Sequence, residues 1–244
     1  MTFTQWLRQT FGSQAQATRA SRRGNSGQPS RNRFVLKLDS MEDRLAPAIL
    51  TVNSFADNTV ASDGLVSIRE AIASSVNRTT TDLGQTGDGF DTIQFSSAID
   101  GQTIKLTNYL NDLSAGSTMP GPSGLFIKGT NLIIDGETGL TKGITISRDS
   151  TAAAFRLFFI GANADVTFKS VTLQSGLAKG GSAPYDTFSA GGGGAAGFGG
   201  AIFNDGQVTI LNSTLTGNKA QGGAGGAGQG KAQGNGGGGL GADG

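Results

Sequence analysis

The sequence predicts an all-β protein in which short strands wind into coils that stack as a solenoid. Three observations predict it. From residue 91 onward, apolar and polar residues alternate over short stretches separated by Gly, Asp or Asn, a pattern typical of short strands. A strand-turn-strand sequence occurs twice. Glycine and asparagine, which tolerate positive φ, stand where the corners would lie.

The repeat separates a solenoid from a sandwich or a barrel. The segments "VTFKSVTLQSG" and "VTILNSTLTGN" align with an offset of 42 residues. The alignment pairs Val166 with Val208, Phe168 with Ile210, Thr172 with Thr214 and Leu173 with Leu215. Without the twenty-residue Gly-rich stretch Lys179–Phe198, the offset is 22, about one turn of a repeat architecture. A coil stacked on a similar coil explains such a repeat, and a sandwich does not.

Asparagines mark the predicted corners. Asn204, Asn212 and Asn218 follow short apolar segments, and we assign them structural roles at the corners of a coil. Stacked asparagines can also form hydrogen bonds from one coil to the next.

A short helix is predicted over residues 67–77. Ile68, Ile72 and Val76 recur at a spacing of four, which marks one helix face. Ser67 and Glu70 have the spacing of a capping box, in which each side chain accepts a backbone N–H. Arg69 and Glu70 could be read as catalytic, but the capping role of Glu70 favours a structural interpretation.

Composition restricts the available chemistry. The chain has no cysteine and no histidine, so thiolate catalysis, cysteine-bound metals and histidine bases are excluded. "GDGFDTIQF" (87–95) resembles one calcium-binding nonapeptide, but one copy cannot build the stacked site. We therefore expect no metal and no cofactor, and we assign no catalytic residue. No apolar run approaches the length of a membrane span.

The first 47 residues are predicted to form a disordered basic leader. Residues 1–38 carry seven Lys or Arg and no acid. The arginines are dispersed and lack interleaved aromatic residues, so we expect no nucleic-acid binding. Residues 34–48 resemble the N-terminal motif L-x-L-E-x-L-E-x-R-x-x-P-A of exported planctomycete surface proteins, with Leu36, Leu38, Glu42, Arg44, Pro47 and Ala48 matching. The resemblance implies an extracellular or cell-surface location.

Two further resemblances concern the fold. Residues 66–72 resemble the CSLREA-type segment that precedes β-helix repeats in bacterial surface proteins, with Val66 in place of its cysteine and Ile68 in place of its leucine. The strand series and the motif "GGAI-x-N" resemble right-handed parallel β-helix proteins of the pectin-lyase-like kind, especially those like polymorphic outer-membrane proteins. The resemblance implies a right-handed parallel β-helix with a short N-terminal capping helix and Gly-rich loop insertions.

We therefore expect a leader over 1–47, an N-terminal capping region over 48–124 and β-helix coils over 125–244. The chain stops inside a Gly-rich tract, so we expect it to be part of a longer β-helix. The favoured function is a non-enzymatic structural or adhesive surface protein that contacts polysaccharide or partner proteins.

The residues leave two alternatives open. One is a polysaccharide lyase or glycosidase, for which the comparable charged residues are Asp135, Asp149, Asp165, Arg148 and Arg156. Their spacing does not match a 22-residue coil, so we expect them not to share one face. The other alternative is self-association through the open end of the solenoid.

Overall fold

The protein is mostly β with parallel sheets. The computed structural model describes residues 47–110, 121–182 and 193–226; the predicted leader up to residue 46 and the end of the second Gly-rich tract lie outside them. The described elements are one α-helix, α1 (Ile68–Asn77), one 3-10 turn (Ser97–Ile99) and the strands β1 (Ala48–Val52), β2 (Phe90–Phe95), β3 (Thr103–Leu106), β4 (Ser123–Ile127), β5 (Asn131–Asp135), β6 (Ile144–Arg148), β7 (Arg156–Ile160), β8 (Asp165–Lys169), β9 (Val171–Gln174), β10 (Leu177–Lys179), β11 (Ile202–Asn204), β12 (Gln207–Leu211), β13 (Thr214–Thr216) and β14 (Lys219–Gln221).

These strands form four sheets, and every pairing between named strands is parallel. The five-stranded sheet has the order β1-β2-β5-β8-β12, and the four-stranded sheet has the order β13-β9-β6-β3. The three-stranded sheet is β11-β7-β4, and β10 pairs with β14. Each strand therefore pairs with one that is distant in the sequence, as parallel connections require.

The pairing predicted from the internal repeat is confirmed. Val166 lies opposite Val208 and Phe168 opposite Ile210 in the five-stranded sheet. Thr172 and Leu173 lie opposite Thr214 and Leu215 in the four-stranded sheet. A constant 22-residue period is wrong, however. Asp135 lies opposite Lys169, 34 residues later, because the connecting loops differ in length along the chain.

Apolar residues at paired inward positions form continuous rows through the core. In the five-stranded sheet, one row consists of Leu50, Ile93, Ile134, Phe168 and Ile210. The first four of these side chains are fully buried. Burial of each row against the other sheets removes apolar surface from water, which is the main stabilising term.

Single left-handed residues connect consecutive strands at two equivalent corners. Ser170 (φ 53°) separates β8 from β9, so the segment 165–176 is two strands joined at a corner. Asn212 (φ 49°) lies in the loop between β12 and β13. Asparagine tolerates this backbone conformation better than most residues. The equivalence of these corners follows from the 42-residue register.

Helix α1 contacts β1, β2 and β4. Its buried residues include Ile68, Ala71 and Ile72, the apolar face indicated by the sequence. Arg78 ends the helix in a left-handed conformation, and its N–H donates to the Ser74 carbonyl. Within the described residues, the structure contains no helix with the length and apolarity that a membrane crossing requires.

The strands β11 to β14 lie at the last position of all four sheets. Their inward positions are poorly covered: Ile210 is 44% exposed and Leu215 is 46% exposed. These two residues help line an open cavity of about 520 Å³. Leu173, which pairs with Leu215, is fully buried. The described edge strands therefore present apolar surface and unpaired backbone groups of the kind that can pair with a further strand.

The register supplies a matched pair of substitutions. We expect Leu173→Ala to lower the free energy of unfolding by about 2–5 kcal/mol, because it removes a buried side chain and leaves a cavity. We expect Leu215→Ala to cost about 1 kcal/mol or less, since nearly half of its surface is already in water. Urea unfolding followed by circular dichroism measures both. Equal losses for the two variants would contradict the assignment of β13 to an open edge.

Candidate functional site

The outer face of the five-stranded sheet carries two rows of side chains. Phe90, Asn131, Asp165 and Gln207 occupy paired positions on four neighbouring strands. Two residues further along the strands, the second row consists of Ile49, Thr92, Ile133, Thr167 and Thr209. Parallel neighbours are about 4.8 Å apart, so the first row crosses roughly 14 Å of surface.

One end of this face is an apolar cleft of about 240 Å³. Pro47, Phe90 and Ile133 line it together with Asn131 and Asp165. Phe90 is 60% exposed and Ile133 is 38% exposed. Isolated exposed apolar residues are common, but a group of them around a cleft is a feature of binding surfaces.

The other end is a polar cleft of about 420 Å³. Its side chains are Asn131, Asn163, Asp165, Asp205 and Gln207, and all five residues are exposed. Asn131 and Asp165 line both clefts. The two clefts therefore form one surface, which we call the outer groove and define by these five residues with Pro47, Phe90 and Ile133.

Two stacked turns build the polar end. The N–H of Asp205 donates to the Ile160 carbonyl at 2.8 Å, and the N–H of Gln207 donates to the Ala164 carbonyl at 2.9 Å. A Cβ at Gly206 would lie only 2.5 Å from that Ala164 oxygen. Glycine is therefore required for the second turn to lie this close to the first, and the close approach holds Asp205 at the groove.

The polar side chains of the outer groove are available to a ligand. None of the five makes a side-chain hydrogen bond or an ion pair with another described residue. The other described carboxylates all accept hydrogen bonds within the protein. They belong to Asp57, Asp63, Asp82, Asp88, Asp91, Asp100, Asp135, Asp149, Glu70 and Glu137. Asp165 and Asp205 are thus exceptional within the described part of the chain.

Ser67 and Glu70 form the capping box of α1. The N–H of Glu70 donates to Ser67 Oγ at 3.2 Å, and the N–H of Ser67 donates to Glu70 Oε2 at 2.7 Å. Both side chains therefore satisfy backbone groups at the helix start.

Arg69 joins the helix to distant loops through Asp57. Its Nε and Nη2 donate to Asp57 Oδ1 at 2.8 and 2.6 Å, and its Nη1 donates to the Gly124 carbonyl at 2.6 Å. Asp57 Oδ2 also accepts the N–H groups of Thr107 and Asn108, each at 2.8 Å. The Asp57 side chain is 2% exposed. Arg69 therefore has a structural role that the sequence spacing alone did not identify.

Asn204 and Asn212 lie at strand ends. Asn204 is the last residue of β11, and its Oδ1 accepts the N–H of Gly206 at 3.0 Å, which stabilises the turn before β12. Asn212 provides the left-handed conformation just after β12.

Asn218 lies between β13 and β14, and its side chain bonds to the backbone of β9 and of the loop that follows β9. Its Oδ1 accepts the N–H of Gly176 at 2.8 Å, and its Nδ2 donates to the Leu173 carbonyl at 2.9 Å. This side chain therefore bonds to the backbone 42 to 45 residues earlier.

The residues considered for a lyase or glycosidase lie in different places. Asp135 and Asp165 are at opposite ends of neighbouring strands, opposite Lys169 and Asn131 respectively. Arg148 lies in the four-stranded sheet, and its guanidinium donates to carbonyl oxygens, including that of Ser175 at 3.1 Å. Asp149 directly follows that strand, and Arg156 lies in the three-stranded sheet. The structure thus distributes this set over three sheets.

Local hydrogen bonds hold two of these carboxylates in the ionised form. Burial opposes ionisation of Asp135, but donation from the Thr138 hydroxyl and nearby N–H groups outweighs it and lowers the pKa. The hydroxyl and N–H of Thr151 lower the pKa of Asp149. Neither group has the raised pKa that suits a general acid.

Arg156 is 1% exposed, and burial lowers its pKa to about 10. Its guanidinium carbon lies 5.2 Å from the centroid of the Phe203 ring. Phe203 stacks on Phe159 with centroids 5.5 Å apart. This arginine is therefore part of the packing of the three-stranded sheet.

Sequence reasoning missed the outer groove. The alternation of residue types predicts a strand that begins at Asp91, so it does not place Phe90 on the exposed face. Asn163 and Asp205 lie in turns, before the first residues of the aligned repeat, Val166 and Val208. Extending the 42-residue register by three residues toward the N-terminus would have placed Asn163 beside Asp205.

Fold and groove together define a mostly β protein with parallel sheets and an open surface cleft. No family model, curated protein or solved structure matches the chain. Within the described residues, no group of three or more acidic, histidine or cysteine side chains is placed to hold a metal ion.

The Asp57–Arg69 network predicts that removal of the Asp57 carboxylate lowers the free energy of unfolding much more than removal of the Asp165 carboxylate. We expect Asp57→Ala to lower the free energy of unfolding by about 3 kcal/mol, because it removes the carboxylate paired with Arg69 and leaves two backbone N–H groups without their acceptor. We expect Asp165→Ala, which removes an exposed carboxylate without a partner, to change it by about 0.5 kcal/mol or less. Urea denaturation of both variants measures the two changes in the free energy of unfolding. A loss below about 1 kcal/mol for Asp57→Ala would be incompatible with the network.

Proposed function

We propose that this chain is a right-handed parallel β-helix of an exported or cell-surface protein, with a structural or adhesive role and no catalytic activity. The order of strands supports the fold part of the proposal. From β8 onward, the chain passes through the five-stranded, four-stranded, two-stranded and three-stranded sheets, and then enters the first three again in the same order. A β-helix with the predicted N-terminal helix and Gly-rich insertions accounts for this recurrence.

One observation carries the functional part. Apart from Asp165 and Asp205, the carboxylates of the described residues accept hydrogen bonds from neighbouring groups in the protein. Such groups stabilise turns and loops. The outer groove, in contrast, offers polar side chains without partners beside an exposed aromatic ring. This combination favours a scaffold that binds, with carbohydrate or a partner protein as the ligand.

The surface location rests on the leader motif at residues 34–48. It resembles the export motif of planctomycete surface proteins, and the CSLREA-type segment agrees with that assignment. Both resemblances support the proposal through sequence alone.

A glycosidase is the second candidate, since Asp165 and Asp205 line the same cleft. Glycosidases use paired carboxylates, one of them a general acid in surroundings that raise its pKa. Both residues here are exposed. Their solvation favours binding over acid catalysis.

Turnover separates the two candidates. We expect the full chain to release no reducing ends or unsaturated products from neutral or acidic polysaccharides, because both carboxylates that share the polar cleft, Asp165 and Asp205, are exposed. A reducing-end assay and an ultraviolet assay for unsaturated uronates measure this. Turnover that Asp165→Asn or Asp205→Asn abolishes, while Asp82→Asn retains it, would establish the glycosidase and overturn the proposal.

A further inference from the structure

We infer that the outer groove is a binding site for a glycan without acidic groups, composed of neutral or amino sugars, that lies across the strands of the five-stranded sheet. The inference rests on the proposed function, and it specifies both the site and the chemical class of the ligand. Four properties of the groove support it: its shape, its mixed surface, its available hydrogen-bonding groups and its charge.

The shape fits an extended chain. Phe90, Asn131, Asp165 and Gln207 lie in one line across β2, β5, β8 and β12. The line measures roughly 14 Å, from strand spacings of about 4.8 Å. The apolar and polar clefts share the two central residues. A ligand of several sugar rings could therefore contact all four strands at once.

The mixed surface matches the two kinds of surface on a sugar. A pyranose ring has an apolar C–H face, which packs on aromatic rings, and a rim of hydroxyl groups. Phe90 is 60% exposed and provides such a ring, with Pro47 and Ile133 beside it. Contact with a sugar face would remove this apolar surface from water.

Sugar hydroxyl groups are bound by hydrogen-bond donors and acceptors that are not already engaged. The amides of Asn131, Asn163 and Gln207 and the carboxylates of Asp165 and Asp205 meet that requirement, because none has a side-chain partner among the described residues. Amides both donate and accept, and ionised carboxylates accept. Convergent polar groups beside an apolar platform are typical of small-ligand sites.

Charge determines the class of glycan. The residues that line the two clefts include Asp165 and Asp205 but no lysine or arginine. The only basic residue of β8 is Lys169 at the other end of the strand, where its Nζ lies 3.1 Å from Glu137 and 3.4 Å from Asp135. Arg78 lies near the Phe90 end but outside the lining, and its Nε donates to the Asp88 carbonyl at 3.1 Å. Uronate or sulfate groups would be repelled, whereas neutral sugars would be accepted and protonated amino groups attracted.

The test uses the full chain and three defined probes: cello-oligosaccharides, glucosamine oligomers and oligogalacturonate of similar length. Isothermal titration calorimetry should detect binding of the first two and none of the third. Phe90→Ala should weaken that binding about fivefold to tenfold. Phe55→Ala, which removes a ring that is 54% exposed and outside the groove, is the matched control and should leave it unchanged.

Substitution of Asp165 and Asp205 should change the preference between the probes. The double variant Asp165→Asn/Asp205→Asn should lose the preference for glucosamine oligomers over cello-oligosaccharides while keeping the contribution of Phe90. Tightest binding to oligogalacturonate, or equal losses in the Phe90 and Phe55 variants, would overturn the inference.

Two further experiments distinguish the glycan-binding groove from the surface and adhesive role. Protease treatment of intact cells of the native host shows whether the protein is on the surface, and pull-down with isolated cell-wall material shows whether it adheres. Surface exposure and adhesion with no binding of the three probes would reject the glycan groove and leave the adhesive function in place. An intracellular protein that binds cello-oligosaccharides through Phe90 would reject the surface role and retain the groove.

Discussion

In-register pairing of parallel strands is the constraint on which the rest of the structure depends. Each inward residue covers the one before it, as in the row of Leu50, Ile93, Ile134, Phe168 and Ile210. A shift of one residue would exchange the inward and outward positions of a whole strand. The register therefore fixes both the core and the residues that reach the outer face.

The same register explains the close stacking of turns. Gly206 allows the turn before β12 to lie against Ala164, and Asn218 bonds to the backbone of Gly176 and Leu173. These contacts satisfy polar groups that would otherwise be buried without partners. The side chains of Asp205 and Asn163 take no part in them and remain open to a ligand.

Sequence reasoning found the elements whose signals are local. The alternation located the short strands, and the Ser67-to-Glu70 spacing located the start of α1. One repeat gave the register of β12 and β13 against β8 and β9. It failed where spacing depends on loop length: the 22-residue period does not extend to β5 and β8. It also missed contacts between distant loops, such as Arg69 with Asp57, because no local pattern encodes them.

Native-state hydrogen exchange tests the register most directly. A strand with neighbours on both sides should open less often than an edge strand, since its amides are covered on both sides. We predict slow exchange for paired amides of β5 and β8, and the fastest exchange among the strands for β11 to β14. Uniform protection across all strands, or greater protection of β12 than of β8, would contradict the parallel order on which the core and the outer groove both depend.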